Sequence, residues 1–161
     1  MSMRSHLPAH DVDPMRVWFR FLRLHRRATS AIAAGLKEIG LSIPQFDLLS
    51  TLTEEEGLSQ QELAERLYVT KGNVSGLLDR MVEAGLVERR SLPGDRRSNA
   101  LFLTPRGHAL AERGIAAQQA YVTGTLGTLE PADLADLERI VLVWRQRARL
   151  VDEAAQPATT D

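Results

Sequence analysis

The sequence predicts a mainly α-helical protein that contains one small β-hairpin. Apolar residues recur every three or four positions through most of the chain, which is the period of an amphipathic helix. The period changes once, where two short segments flank a Pro-Gly-Asp turn at 93–95. The chain has 161 residues, 43% of them hydrophobic, so we expect one core with helical extensions rather than two independent domains.

Composition excludes several classes of function. The chain contains no cysteine, which rules out disulfide frameworks, cysteine-ligated metals, cysteine nucleophiles and thiol-based sensing. No apolar run is long enough to span a bilayer, and residues 1–20 lack the apolar centre of a signal peptide. His6 and His10 have i, i+4 spacing, but no compact His, Asp and Glu cluster supplies enough ligands for a metal. We expect a cytoplasmic protein with no metal, no cofactor and no membrane partner.

Two helices are predicted in the first third of the chain. Asp13 and Pro14 have the chemistry of an N-cap and a first-turn proline, and the helix they begin ends at Gly40. Pro44 begins a second helix that closes near Gly57, and the acidic run at 54–56 is expected to be solvated. Residues 1–12 are predicted to be a flexible arm. The apolar stripe of the first helix comprises Val17, Trp18, Phe21, Leu22, His25, Ile32, Leu36 and Ile39.

The next two predicted helices are short and close together. Ser59 and Glu62 have capping-box spacing, and they begin a third helix that ends about Leu67. After about three residues, Thr70 can cap a fourth helix. Two amphipathic helices with so short a connection form a helix-turn-helix. The inward positions of the fourth helix are Val74, Leu77, Leu78, Met81, Val82 and Leu86.

The remaining elements are a hairpin and two long helices. Residues 87–91 and 99–103 are predicted strands, joined by a loop at 92–98. Thr104 and Pro105 begin a helix that runs to about Gly127. Pro131 begins the last helix, which is expected to end at 151, with a disordered tail at 152–161.

The charges and the outward side of the fourth helix point to DNA. The net charge is −1, yet residues 66–97 carry seven basic and four acidic residues, whereas residues 47–65 carry six acids and no base. Gly72, Ser75, Gly76 and Arg80 face away from the predicted core, with Lys71 and Asn73 in the first turn. Small residues and short donors near a helix N-terminus suit the major groove. Asp79 and Glu83 come later, where the helix should leave the groove.

The hairpin tip carries the second signal. Arg96 and Arg97 at the end of a thin hairpin can enter the negative minor groove. Asp95 can hold Arg97 through a bidentate pair, which would fix the direction of its guanidinium. Arg89 and Arg90 on the first strand could reach flanking phosphates.

Four segments and a spaced signature resemble the MarR family of transcriptional regulators. The segments are LAERL at 63–67, VTKGNVS at 69–75, LDRM at 78–81 and GLV at 85–87. Asp95 and Arg97, followed after five residues by Leu103 and Thr104, match the family's D-x-R-x5-L-T wing signature. The resemblance covers roughly residues 14–150. It implies a winged helix-turn-helix core at 44–104, flanked by long dimerisation helices at 13–40 and 105–151.

The resemblance also implies a function and its residues. We expect an obligate homodimer that binds a near-palindromic double-stranded DNA operator. By similarity, Ser59 and Gln60 contact phosphate before the recognition helix. The recognition helix would contribute Thr70, Lys71, Gly72, Asn73, Ser75, Gly76 and Arg80, and the wing would contribute Arg90, Asp95, Arg96 and Arg97.

The family usually responds to a small aromatic or phenolic anion, held between the dimer helices and the winged helix. Asp47 and Arg80 match an aspartate and an arginine of its urate-responsive branch, which are too few positions to identify the ligand. Residues such as Trp18 and Phe46 belong to a core or an interface more often than they contact a ligand, and His25 is expected at an interface rather than in ligand sensing. The candidate pocket residues are Trp18, Phe21, His25, Phe46, Asp47, Leu49 and Arg80.

Two other classes of function compete with a ligand-released repressor. The chain could be a protein-interaction module that has lost operator binding, although the small-residue face of the fourth helix argues against this. It could also be an enzyme. No nucleophile elbow, phosphate loop, zinc-protease motif or dinucleotide fingerprint is present, so we expect no catalysis.

Overall fold

The structure is a computed structural model that describes residues 12–67, 69–92 and 95–155, without the side chains at 71, 92 and 95–98. The described part is mainly helical with one two-stranded antiparallel hairpin, which confirms the predicted fold class. Residues 1–11 of the predicted arm at 1–12 lie outside it. In chain order the elements are α1 (Pro14–Glu38), α2 (Ile43–Glu54), α3 (Gln60–Arg66), α4 (Lys71–Glu83), β1 (Val87–Leu92), β2 (Asp95–Leu103), α5 (Pro105–Thr125), a 3-10 turn (Leu126–Thr128) and α6 (Pro131–Ala155).

Local capping explains where the first helices begin. The Asp13 carboxylate accepts the Met15 amide at 3.0 Å, so α1 starts as predicted. Ser42 and Gln45 form an unpredicted capping box, and α2 therefore begins at Ile43. The helix ends at Glu54, short of the end expected near Gly57.

The predicted capping box at the start of α3 is confirmed. Ser59 donates its amide to the Glu62 carboxylate at 2.7 Å, and the Ser59 hydroxyl accepts the Glu62 amide at 3.2 Å. Hydrogen bonds from the Ser59 amide and hydroxyl hold the pKa of Glu62 below its ordinary value. The start of α3 is therefore fixed locally.

The core lies among α2, α3, α4 and the hairpin. The α4 residues Val74, Leu78 and Met81 are fully buried, as their spacing predicts. Gly114 on α5 packs so tightly that a Cβ there would lie 2.5 Å from Cδ2 of Phe46. A larger residue would not fit between α5 and α2 without displacing the Phe46 ring. The largest fully buried side chains include Leu36, Leu48, Leu49, Leu52, Leu63, Leu78, Met81 and Leu101.

The hairpin is longer than predicted. Pairing runs from Val87 opposite Leu103 to Ser91 opposite Asn99, and after an irregularity Leu92 pairs with Asp95. β2 therefore begins at Asp95 instead of 99, because the strand resumes its pairing with β1 beyond the irregularity. Residues 57–58 form an unpredicted antiparallel bridge with β2, in which the Leu101 amide donates to Leu58 O at 2.9 Å.

The structure contains two compact units, the first ending at Gln119 and the second beginning at Ala120. The second unit comprises the last turns of α5, the 3-10 turn and α6. The predicted disorder is wrong for 152–155, which continue α6, while 156–161 lie outside the described residues. None of the described helices is long and apolar enough to cross a membrane.

Candidate nucleic-acid interface

The outward side of α4 is an exposed surface of small residues. Gly72, Asn73, Gly76 and Arg80 are exposed and Ser75 is half-buried, opposite the buried side of the helix. A Cβ at either glycine would meet no atom within 4 Å. The Thr70 hydroxyl accepts the Asn73 amide at 3.3 Å, which caps this end of α4. Ser59 and Gln60, at the start of the preceding helix, are half-buried.

Two arginines of β1 contact acids of the protein. Nη2 of Arg89 lies 2.6 Å from Oδ1 of Asp79 on α4. Arg90 pairs with Glu88, and its guanidinium lies 4.2 Å from the ring centre of Phe102. In the structure both arginines contact acidic side chains of the protein, whereas the sequence predicted that they contact DNA phosphates. Exposed pairs of this kind add little stability, but they orient the guanidinium groups.

The side chains of the hairpin tip lie outside the described residues. The backbone of Asp95 begins β2, opposite Leu92. The ion pair between Asp95 and Arg97, and the direction of Arg96, therefore stay predictions.

A carboxylate joins the base of the hairpin to α5. Oε1 of Glu56 accepts the Leu103 amide at 3.1 Å and lies 3.0 Å from Nε2 of His108. The sequence analysis placed Glu56 in a solvated acidic run and missed this role. Its neighbour Glu55 is also engaged, at 2.5 Å from Arg66. No sequence pattern marks these contacts, because the partners come from distant segments.

A pocket of about 430 Å³ lies between α2 and α4 and brings Asp47 and Arg80 together. Asp47 is partly exposed, yet burial by its surroundings raises the pKa of its carboxyl above the ordinary value. An arginine, a carboxyl and apolar walls can accommodate a small aromatic acid. The lining residues are Pro44, Asp47, Leu67, Val69, Asn73, Val74, Leu77 and Arg80.

The other predicted pocket residues lie elsewhere. Phe46 and Leu49 are 3% and 0% exposed and belong to the core, so they cannot line a pocket that is open to solvent. Trp18, Phe21 and His25 follow one another along α1, with ring centres 5.9 Å and 6.1 Å apart. Trp18 and Phe21 are both 42% exposed. The three rings thus form a surface stripe on α1.

Comparison with known proteins agrees with this geometry. Residues 39–98 match the sequence profile of the MarR family. The HTH-type transcriptional repressor Rv2887 of Mycobacterium tuberculosis is 33% identical over 110 residues, which are 68% of this chain and 79% of that protein. The relatives are transcriptional regulators, which confirms that the chain is not an enzyme.

Solved structures extend the match beyond the central domain. The MarR family regulator SP03579 is 26% identical with a TM-score of 0.79, covering 86% of this chain and 93% of that one. The repressor CouR, bound to a 23-mer DNA duplex, is 26% identical with a TM-score of 0.70, covering 81% and 92%. Rv2887 in complex with salicylic acid is 29% identical with a TM-score of 0.62, covering 84% and 98%.

The family profile spans α2, the helix-turn-helix, β1 and the start of β2, and the relative Rv2887 is matched over more than two thirds of either chain. The chain is therefore a transcriptional regulator that belongs to the MarR family.

Proposed function

We propose that this protein is a homodimeric repressor that binds a near-palindromic operator and is released by a small aromatic acid. The observation that carries the proposal is the outward side of α4, where exposed glycines stand beside Asn73 and Arg80. A surface without Cβ atoms lets a helix backbone approach base edges closely. The DNA-bound state of the similar repressor CouR supports the same use here.

The DNA contacts divide between two grooves and the backbone. Asn73 and Arg80 are suited to base edges in the major groove, because amide and guanidinium groups can form paired hydrogen bonds there. Ser59, Gln60, Thr70 and Lys71 would contact phosphates near the start of α3 and α4. Arg96 and Arg97 would enter the minor groove. Arg90, which already pairs with Glu88, would contribute to the field around the wing rather than a direct contact.

The proposed effector site is the pocket between α2 and α4. The Arg80 guanidinium would pair with the carboxylate of an aromatic acid, while Leu67, Val69 and Leu77 contact its ring. The salicylic acid complex of the similar protein Rv2887 supports this class of ligand.

The ligand would release the operator because two residues belong to both the pocket and the DNA-facing surface. Asn73 and Arg80 line the pocket and also belong to the DNA-facing side of α4. A ligand that holds them in the pocket favours a state in which they are unavailable to bases. A hundredfold loss of operator affinity corresponds to a coupling free energy of about 2.7 kcal/mol.

The test is selection of DNA from a random promoter library, followed by binding measurements on the selected operator. We expect an enriched inverted repeat and a strong loss of affinity with rising salt concentration. Arg97→Ala should weaken binding about tenfold and reduce the salt slope by about one, with the dimer intact. Arg113→Ala, which removes an exposed arginine from α5, is the matched control and should change affinity less than about twofold.

An absence of any enriched sequence would contradict the proposal. It would favour the alternative of a protein-interaction module without operator binding. If Arg97→Ala left the affinity for the selected operator unchanged, the proposed role of the wing in DNA binding would be contradicted instead.

A further inference from the structure

Glu56 lies where three elements meet. It follows the end of α2, its Oε1 accepts the amide of Leu103 at the end of β2, and the same oxygen lies 3.0 Å from Nε2 of His108 on α5. The Leu103 amide and the His108 ring nitrogen therefore converge on one carboxylate oxygen. An ionised acceptor strengthens the hydrogen bond from the Leu103 amide relative to a neutral one.

Further contacts surround this point and fix the first turn of α5. The Thr104 hydroxyl donates to Gly85 O at 2.7 Å and accepts the Gly107 amide at 3.0 Å. Arg106 donates to Ala84 O at 3.0 Å. These bonds join α5 to the turn between α4 and β1. Glu56 adds a side-chain contact between α5 and the end of β2, which Thr104 also connects along the chain.

The base of β2 controls the position of the hairpin tip. β1 comprises six residues and its last residue, Leu92, pairs with Asp95, so the hairpin is about 20 Å long. A rotation of about 5° at its base would move the tip by about 1.7 Å, given that length. Hydrogen bonds tolerate only a few tenths of an ångström before they weaken. A small change at Glu56 is therefore large enough to misplace a side chain at the tip.

We propose that Glu56 and His108 are a positioning pair that sets the angle of the wing, and through it the affinity for operator DNA. The inference rests on the proposed function, because it requires an operator. Neither side chain needs to touch DNA. His108 lies on the helix that leads into the second unit of the chain, so the pair also links that helix to the wing.

The experiment is a double-mutant cycle between Glu56 and the wing. Operator affinity is measured by fluorescence anisotropy for the wild type, Glu56→Ala, Arg97→Ala and the double variant. We expect Glu56→Ala to weaken binding at least fivefold when Arg97 is present, and less than twofold when it is absent. Coupling of this kind appears only if Glu56 acts through the wing.

Two further variants separate positioning from charge and stability. Glu54→Ala removes the same charge two residues away; the Glu54 side chain is exposed and its carboxylate makes no hydrogen bond or ion pair within the described residues. It should change affinity less than twofold. His108→Ala should weaken binding as Glu56→Ala does. His108→Gln, whose amide can donate in place of Nε2, should restore affinity to within twofold of the wild type.

Three outcomes overturn the inference. The first is an equal cost of Glu56→Ala with and without Arg97, which would mean a general structural effect. The second is an equal effect of Glu54→Ala, which would mean charge alone. The third is no operator binding by the wild-type protein, which overturns the proposed function as well and so differs from the other two.

Discussion

Asp47 lines the proposed effector site together with Arg80, and burial raises the pKa of its carboxyl, so we expect ligand binding there to depend on pH. Burial penalises the charged form, so the folded protein holds the Asp47 proton at a higher pH than a free aspartate, whose value is 3.8. A protonated carboxyl can donate to a bound carboxylate, whereas the ionised form repels it. We expect salicylate affinity, measured by calorimetry, to rise as the pH falls from neutral toward 3.8, the ordinary value for aspartate.

Asp47→Asn tests this directly, because the amide donates at every pH. The variant should bind salicylate with an affinity that hardly changes over the same range. It should also be more stable than the wild type at neutral pH, since the wild type then keeps a charge that burial disfavours. That advantage should shrink as Asp47 takes up its proton and vanish below the ordinary value of 3.8. Glu83→Gln, at the exposed end of α4, should keep the wild-type pH dependence; an unchanged profile in Asp47→Asn would contradict the role of Asp47.

At the scale of the element, α4 combines two demands that conflict. Gly76 lies inside the helix with open space around it, so alanine there should raise the free energy of unfolding by about 0.5–1 kcal/mol. The added methyl group would stand on the side proposed to approach bases. We therefore expect Gly76→Ala to gain stability in urea unfolding and to lose about tenfold in operator affinity. A gain in stability with unchanged affinity would mean that this side of α4 does not approach DNA.

The helices that the sequence predicts best are those whose starts are set locally. Asp13, Ser59 and Thr70 cap helices within three residues of themselves, so short-range chemistry alone predicts α1, α3 and α4. β2 begins earlier than predicted because Asp95 pairs with Leu92 of β1, a contact that the alternation of nearby residues does not mark. The last turn of α6 continues through Asp152 and Glu153 by helix propagation, after the apolar period has ended.

The same distinction between local and long-range contacts applies to the candidate site. The exposed side of α4 could be predicted, because helical periodicity separates it from Val74 and Leu78. The partners of Glu56 could not, because the Leu103 amide is 47 residues away and is brought there by packing. Phe46 and Leu49 are three residues apart on one side of α2, whereas Asp47 is rotated by about 100° from Phe46, so helical periodicity already separates Asp47 from the other two.

At the scale of the whole molecule, two helices expose more apolar surface than a monomer needs. α6 has 25 residues and none of them is buried, although it carries leucine, isoleucine, valine and tryptophan. On α1, Met15 and Phe19 are more than half exposed, in addition to the stripe of three rings. Apolar surface of this extent usually marks a protein interface. These exposures support the proposed homodimer.

Val141 gives the proposed dimer its test. It is 51% exposed and shares one side of α6 with Leu137 and Trp144, which lie four residues before it and three after it and form an apolar stripe with it. A carboxylate at this position would be desolvated without a partner in an interface, at a cost that a dimer cannot offset. We expect Val141→Asp to give monomers in sedimentation equilibrium and to weaken operator binding at least about hundredfold, because each half-site would then be bound alone. Ala135→Asp introduces the same charge on the opposite side of α6, where the residue is also exposed, and it should remain a dimer with wild-type affinity. If Val141→Asp stayed dimeric with its helicity intact, the apolar stripe of α6 would not be the interface, and the two recognition helices would have to be paired through another surface.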